Sequence, residues 1–376
     1  IKKLKFICKI NQHSLEETTN KNLNITYVDI GSVSFEEGIK NSEKFIFSKA
    51  PSRARRIAKK NDTIISTVRT YLKAIDFIDE SKSNYIFSTG FAILEPNLET
   101  NPKNLSFIVK SNFFTNQVDI NSKGMSYPAI NSTDLSNLIT LIPPKEEQTK
   151  IASFLDDKTA QIDEVISQKE KLIELLKERK QIVINDAVTK GLDKDVEFVD
   201  SGVEWIGKIP KHWEIEKVKY IFKDSSIKNH GEEIPLAATQ LYGVVPKDTL
   251  DYRTVEANVS DLNTFKLVKE NNFVISLRSF EGGIEYSAYK GIISPAYTVM
   301  ETLQDIAFKY FKYLFKSNIF IQALNIYKTG IREGQNISFA KFKDDFLPLP
   351  PKNEQIQSAE HLENQTTKID KAIELQ

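Results

Sequence analysis

PPKEEQTKIASFLDDKTAQIDEVI, Pro143–Ile166, and PPKNEQIQSAEHLENQTTKIDKAI, Pro350–Ile373, are two copies of one segment, 207 residues apart without a gap. Eleven of the 24 aligned positions are identical: Pro143, Pro144, Lys145, Glu147, Gln148, Ala152, Leu155, Thr159, Ile162, Asp163 and Ile166. Self-similarity at a fixed offset is the mark of a duplicated structural unit. Each copy also reads as a helix. The proline pair suits a helix start, and Glu146 and Glu147 follow in the first turn, where negative charge complements the helix dipole. Apolar residues then recur at helical spacing: Ile151, Leu155, Ile162, Val165, Ile166, Leu172, Ile173, Leu176, Val183 and Ala187. No Gly or Pro interrupts before Gly191, so the spacing predicts a helix over Lys145–Lys190, of ~70 Å at ~1.5 Å per residue. The second copy predicts another over Lys352–Gln376, with the same stripe through Ile356, Leu362, Ile369 and Ile373. A long helix with one apolar stripe needs a partner, and an antiparallel pair of these two would satisfy both within one chain.

Weaker echoes extend the duplication outward. LKFICK (Leu4–Lys9) resembles VKYIFK (Val218–Lys223), and IISTVR (Ile64–Arg69) resembles VISLR (Val274–Arg278). A glycine-containing approach to the proline pair recurs as Lys123-Gly124-Met125 and Thr329-Gly330-Ile331. The plan is domain, helix, domain, helix. Short β-branched and aromatic runs predict strands at Ile64–Val68, Tyr85–Phe87, Phe91–Leu94, Phe273–Leu277 and Ala296–Met300. Phe107–Phe114 and Ala307–Leu324 read as helical. The expected class is therefore α+β, with two mixed domains separated by two long antiparallel coiled-coil helices in a pseudo-two-fold repeat. The expected boundaries are 1–142, 143–200 for the first long helix and its linker, 201–349, and 350–376 for the distal helix, which the repeat offset predicts to continue past Gln376.

Composition narrows the function. The single cysteine, Cys8, excludes an internal disulfide framework and a cysteine-rich zinc site, and fits a reducing, cytoplasmic compartment. His13, His212, His230 and His361 do not come at ligand spacing, so no metal is expected. No apolar run approaches the ~18 residues of a membrane span, and no signal peptide is visible. The 51 basic and 51 acidic residues cancel, but unevenly: residues 1–142 hold 19 against 14, and 145–200 hold 10 against 14. Acidic helices thus mask a basic domain. There is no GxxxxGK[ST] phosphate loop, no glycine-rich cofactor loop after a strand, and no Asn-Pro-Pro-aromatic motif. The proline pairs are each followed by Lys at a helix start and read as structural, and the paired carboxylates Glu146-Glu147 and Glu232-Glu233 as solvated charge.

PPKEEQTKIASFLDDKTAQIDEVISQKEKLIELLKERKQIVINDAVTKGL resembles the central conserved region of type I restriction-modification specificity subunits. GVEWIGKIPKHWEIEKVKYIF (Gly202–Phe222) resembles the start of a target-recognition domain in that family, and SRARRIAKKNDTIISTVR and STGFAILEP (Ser52–Arg69 and Ser88–Pro96) resemble internal motifs of such domains. The resemblance implies a non-catalytic protein with two target-recognition domains, each reading one half of a split, asymmetric site on double-stranded DNA. It implies two modification (adenine methyltransferase) subunits as partners, with restriction subunits added for cleavage. It places S-adenosylmethionine, ATP and Mg on those partners and no cofactor on this chain. A specificity subunit of a modification-only system and a coiled-coil protein-binding scaffold remain as alternative readings.

The candidate DNA contacts follow. Residues 49–73 carry Lys49, Arg53, Arg55, Arg56, Lys59, Lys60, Arg69 and Lys73 against Asp62 alone, a density suited to phosphate contact. Arg69-Thr70-Tyr71 follows a predicted strand, as does Arg278-Ser279-Phe280, and an arginine there can reach guanine in the major groove. Lys328–Asn336 offers Lys328, Arg332, Gln335 and Asn336 around two glycines, and its counterpart begins at Lys123 with fewer such groups. The two domains are therefore expected to read different sequences.

Overall fold

The computed structural model describes residues 1–250, 262–329 and 336–376, which form two compact units, Ile1–Val165 and Ile166–Gln376.

In the first unit the strands of the main sheets are β1 (Cys8–Ile10), β2 (Asn24–Val28), β3 (Glu43–Ile46), β4 (Ala54–Ile57), β5 (Thr63–Ser66), β6 (Ile75–Phe77), β7 (Ile86–Ser88) and β8 (Phe91–Pro96). They make two four-stranded sheets, ordered β1-β8-β5-β6 and β3-β2-β7-β4. All four residues of β5 are buried, because both faces of its sheet are covered. Ile65 points with Ala92 and Leu94 into a core shared with Leu105 and Phe114 of the helices α1 (Pro102–Lys110) and α2 (Asn112–Asn121). Ile64 and Ile93 point the other way, toward Val28, Phe87 and Phe91. The period-two alternation of a strand thus feeds two cores at once. Asn101 caps α1, its Oδ1 accepting the Asn104 N–H at 3.0 Å, with Pro102 at the first helical position.

The second unit repeats the first of these two sheets. Its strands β9 (Phe222–Ser225), β10 (Phe273–Ile275), β11 (Glu285–Tyr286) and β12 (Thr298–Thr302) form an antiparallel sheet ordered β9-β12-β10-β11, strand for strand the order of β1-β8-β5-β6. Phe273 and Ile275 face α5 (Phe308–Leu314) and α6 (Asn318–Leu324), while Val274 faces Leu236, Val244 and Val299. Phe222, Phe273, Phe311, Phe315 and Phe320 interlock at centroid distances of 5.0–5.9 Å, mostly edge to face or tilted. Leu4–Phe6 and Val218–Ile221 are both single helical turns leading into the outer strand, so the LKFICK and VKYIFK echo is structural.

After the short helix α3 (Ser132–Asn137), the long helix α4 spans Lys145–Thr189, and Gly191 beyond its end takes φ +73°. Its second half, within the second unit, runs antiparallel to α7 (Lys352–Glu374). Lys180 Nζ meets Asp370 at 2.7 Å, Lys169 Nζ meets the Gln376 carbonyl at 3.4 Å, and Ile184, Ala187 and Val188 share a core with Ala359 and Leu362. The α+β class and the antiparallel helices expected from the sequence are present. Along α4 the apolar stripe is not uniformly buried: Ile184 and Val188 are, whereas Ile162, Val165 and Ile166 are exposed. Among the described residues no helix is long and apolar enough to cross a membrane.

Candidate nucleic-acid interface

In the first unit the loop that leaves β5 is shaped by two left-handed residues, Arg69 (φ 54°) and Lys73 (φ 46°), on either side of the turn Thr70–Leu72. That conformation costs a non-glycine residue about 1 kcal/mol, so its surroundings must impose it. They do so through the segment 122–129. Arg69 N–H donates to the Pro128 carbonyl at 2.8 Å, Val68 bridges Ala129, and the Thr70 and Ser122 hydroxyls meet at 2.9 Å. The two loops therefore present one surface. The Arg69 guanidinium lies 4.8 Å from the Tyr127 ring centroid, and Arg69, Tyr71 and Lys123 are exposed. A third segment, the hairpin Val33–Ser34 and Gly38–Ile39, adjoins them, with Lys73 Nζ 5.9 Å from the Phe35 ring centroid. A groove of about 460 Å³ runs between, lined by Ile30, Ser34, Phe35, Glu36, Tyr71 and Lys73.

The second unit assembles two of the corresponding parts. Arg278, exposed, opens the turn Ser279–Gly282 after β10. The hairpin Leu236–Thr239 and Gly243–Pro246 lies beside it, its tip carrying exposed Gln240, Leu241 and Tyr242. Gly38 and Gly243 sit at the same place in the two hairpins, with φ +71° and +75°. A Cβ on Gly38 would lie 2.6 Å from the Asp76 carboxyl, and one on Gly243 2.8 Å from the Tyr286 carbonyl. Both hairpins are thus pressed onto the strand at the edge of the main sheet, β6 or β11.

Two of the sequence-predicted contacts change role. Thr70 is 3% exposed and Ser279 fully buried. Thr70 braces Ser122, and the Ser279 hydroxyl accepts the Ser276 N–H at 2.8 Å. They shape the loops and are not available to a ligand. The basic run is also divided. Arg53, Arg55 and Arg56 lie on or just before β4, and Lys59 and Lys60 precede β5, at its opposite end from Arg69 and Lys73. Arg55 lies 5.0 Å from the Phe47 ring centroid, Lys59 Nζ meets His13 Nε2 at 2.8 Å, and Lys60 pairs with Glu80 at 2.6 Å. Arg56 is half-buried, and burial pulls its guanidinium pKa down. Lys328 and Asn336 belong to a small backbone ladder, Lys328 opposite Ile337 and Thr329 opposite Asn336, while Arg332 and Gln335 lie outside the described residues.

The sequence reading missed Tyr127, Gln240 and Tyr242. The turn Gln240-Leu241-Tyr242-Gly243 between two apolar runs was the available signal for the hairpin. His230, Glu232 and Glu233 also converge closely enough to hold a cation, although their spacing is not that of a common ligand motif. Glu233 is already ion-paired with Lys290, whose ammonium takes the place of such an ion.

Residues 1–175 match the family model of the type I restriction modification DNA specificity domain. Over 268 residues the chain is 26% identical to the putative type I restriction enzyme MjaX specificity subunit of Methanocaldococcus jannaschii, covering 68% of this chain and 58% of that one. Over 127 residues it is 32% identical to the type I restriction enzyme HindI specificity subunit of Haemophilus influenzae, covering 31% of this chain and 28% of that one. The chain thus spans less than two thirds of the length of either relative. In fold it is similar to a chain from a study of complex assembly and conformational transition of the type I R-M system, with a TM-score of 0.75, 19% identity, and coverage of 100% of this chain and 91% of that one. It is likewise similar to the HsdS subunit from Thermoanaerobacter tengcongensis, with a TM-score of 0.59, 20% identity, and coverage of 99% and 90%.

Proposed function

From its similarity to the type I restriction-modification specificity family, whose domain model residues 1–175 match, we propose that this chain is the non-catalytic subunit that reads DNA sequence for such an enzyme. It directs adenine methylation and cleavage performed by partner subunits, two for modification and further ones for restriction. S-adenosylmethionine, ATP and Mg belong to those partners. The complex works in the cytoplasm. The target-recognition domains are 1–142 and 201–349, with the conserved helices at 143–200 and 350–376.

One observation carries this reading. The main sheets of the two units share one strand order, yet their loop clusters present different chemistry: exposed Arg69, Tyr71 and Lys123 with half-buried Lys73 in one, exposed Gln240, Tyr242 and Arg278 in the other. A common frame with divergent loops suits two readers of different half-sites. Arginine pairs with guanine and glutamine with adenine in the major groove, and lysines hold phosphates. Arg53, Arg55, Arg56, Lys59 and Lys60 supply further phosphate contacts, and Lys328, Arg332, Gln335 and Asn336 a further base-reading segment. The test is selection of binding sites from random duplex DNA by the chain assembled with its methyltransferase partners. A split sequence supports the proposal, and salt-insensitive or sequence-blind binding contradicts it.

A further inference from the structure

Lys316 lies in the link between α5 and α6, and its ammonium reaches three oxygens from three segments. It donates to Glu285 Oε1 on β11 at 2.6 Å, to the Gly282 carbonyl in the loop after β10 at 2.8 Å, and to the Gln240 carbonyl at the hairpin tip at 3.2 Å. A lysine has three donors, and all are used. The loop is closely packed. Gly283 adopts φ +79°, and a Cβ there would lie 2.0 Å from the Phe315 carbonyl. At Gly282 a Cβ would lie 2.6 Å from Gln240 Cγ.

The Lys316–Glu285 pair is a poor source of stability. Glu285 is 1% exposed, and burial drives its carboxyl up to about 7 and the Lys316 ammonium down, against their mutual attraction. An apolar pair of the same volume generally stabilises a core as well or better, whereas a buried ion pair fixes geometry. The first unit has an acid at the same sheet position. Asp76 lies opposite Ile64 as Glu285 lies opposite Val274, and is 7% exposed. It pairs with Lys82 at 2.8 Å and accepts the Ile39 N–H of the neighbouring hairpin at 3.1 Å. Both units therefore put a buried carboxylate behind the loop cluster and fasten the hairpin to it, in one case directly and in the other through a lysine.

We propose that Lys316, seated on Glu285, is a positioning residue for sequence recognition: it sets Gln240 and Tyr242 in register with Arg278, and Asp76 does the same for the first unit's loops. The inference rests on the DNA-reading assignment above. Lys316 itself is held away from the DNA, and its effect is on which bases are preferred at one half-site.

The test uses the assembled complex and random duplex libraries, with Lys316→Met, Glu285→Gln and Asp76→Ala. Lys316→Met should lower base preference at one half-site by about tenfold, the scale of one mismatched base pair, while the other half-site and the salt dependence stay as they were. Asp76→Ala should affect the opposite half-site. Glu285→Gln, which keeps the shape but removes the counter-charge, should reproduce the Lys316→Met pattern more weakly and decides the matter if that variant does not fold. Intact preferences in either folded variant, or an equal loss at both half-sites, would overturn the proposal. An unaltered complex that selects no split sequence would instead refute the DNA-reading assignment itself.

Discussion

Gln148 and Gln355, 207 residues apart, make the same pair of hydrogen bonds in the two units. Gln148 Oε1 accepts the Asn101 N–H at 2.8 Å and its Nε2 donates to the Pro143 carbonyl at 2.9 Å. Gln355 Oε1 accepts the Ala307 N–H at 2.9 Å and its Nε2 donates to the Pro350 carbonyl at 2.8 Å. Both side chains are almost fully buried. A salt bridge recurs further along each helix: Lys103 to Asp156 at 3.2 Å, and Lys309 to Glu363 at 2.8 Å. The shared proline and glutamine of the duplicated segment, with the acid at 156 or 363, thus form a joint that fastens each long helix to the start of α1 or α5.

Replacing either glutamine with Ala leaves a backbone N–H and at least one carbonyl in or near the core without its partner. Each substitution should destabilise its own unit by about 2–3 kcal/mol. Urea unfolding followed by amide exchange in each unit checks this. Gln148→Ala should raise exchange in the first unit and leave the second near its original protection.

The long helices and the duplication were legible because their signals are local and repeated. Helical spacing without a breaker gives α4 from Lys145, and the observed end at Thr189 falls one residue short of the expected Lys190. The strand expected at Ile64–Val68 is observed at Thr63–Ser66, since its run is apolar on both faces and reads as a buried strand. The candidate interface was less legible. A basic run reads as one patch on paper, but β5 carries Lys60 and Arg69 to opposite ends. Thr70 and Ser279 look like exposed loop hydroxyls until their partners, Ser122 and the Ser276 N–H, are brought in. Lys316 stands 31 residues from Glu285 and 76 from Gln240, and no spacing rule connects them.

That division of the basic run gives two separable effects. Arg69→Ala and Lys73→Ala together should alter base preference at one half-site. Arg53→Ala, Arg55→Ala and Lys59→Ala together should weaken binding to all sequences. They should also reduce the slope of log affinity against log salt by roughly one for each phosphate no longer neutralised. Titrations of the assembled complex at several salt concentrations separate the two.

Two buried acids set a pH dependence of stability. Burial raises the Glu285 carboxyl from 4.5 to about 7 and Asp62 from 3.8 to about 6, in the latter case against the Lys59 N–H that donates to it. Each folded value lies above the unfolded one, so the folded state binds these protons more tightly. Their contribution is full below about pH 4 and is lost as pH rises to about 7, on the order of 3 kcal/mol for Glu285. The Glu285→Gln variant should therefore improve relative to wild type between about pH 4.5 and 7.5. A stability difference that stays constant across that window would contradict the assignment.

A domain exchange tests whether each unit reads its own half of a split site. Residues 218–342 are replaced by the corresponding segment of a relative with a known site, and the assembled complex selects from random duplex DNA. A split site is expected in which one half is that of the donor and the other is unchanged, because the candidate base-reading loops of the first unit are left as they were. A selected sequence altered in both halves, or one still identical to the original, would contradict separate reading by the two units.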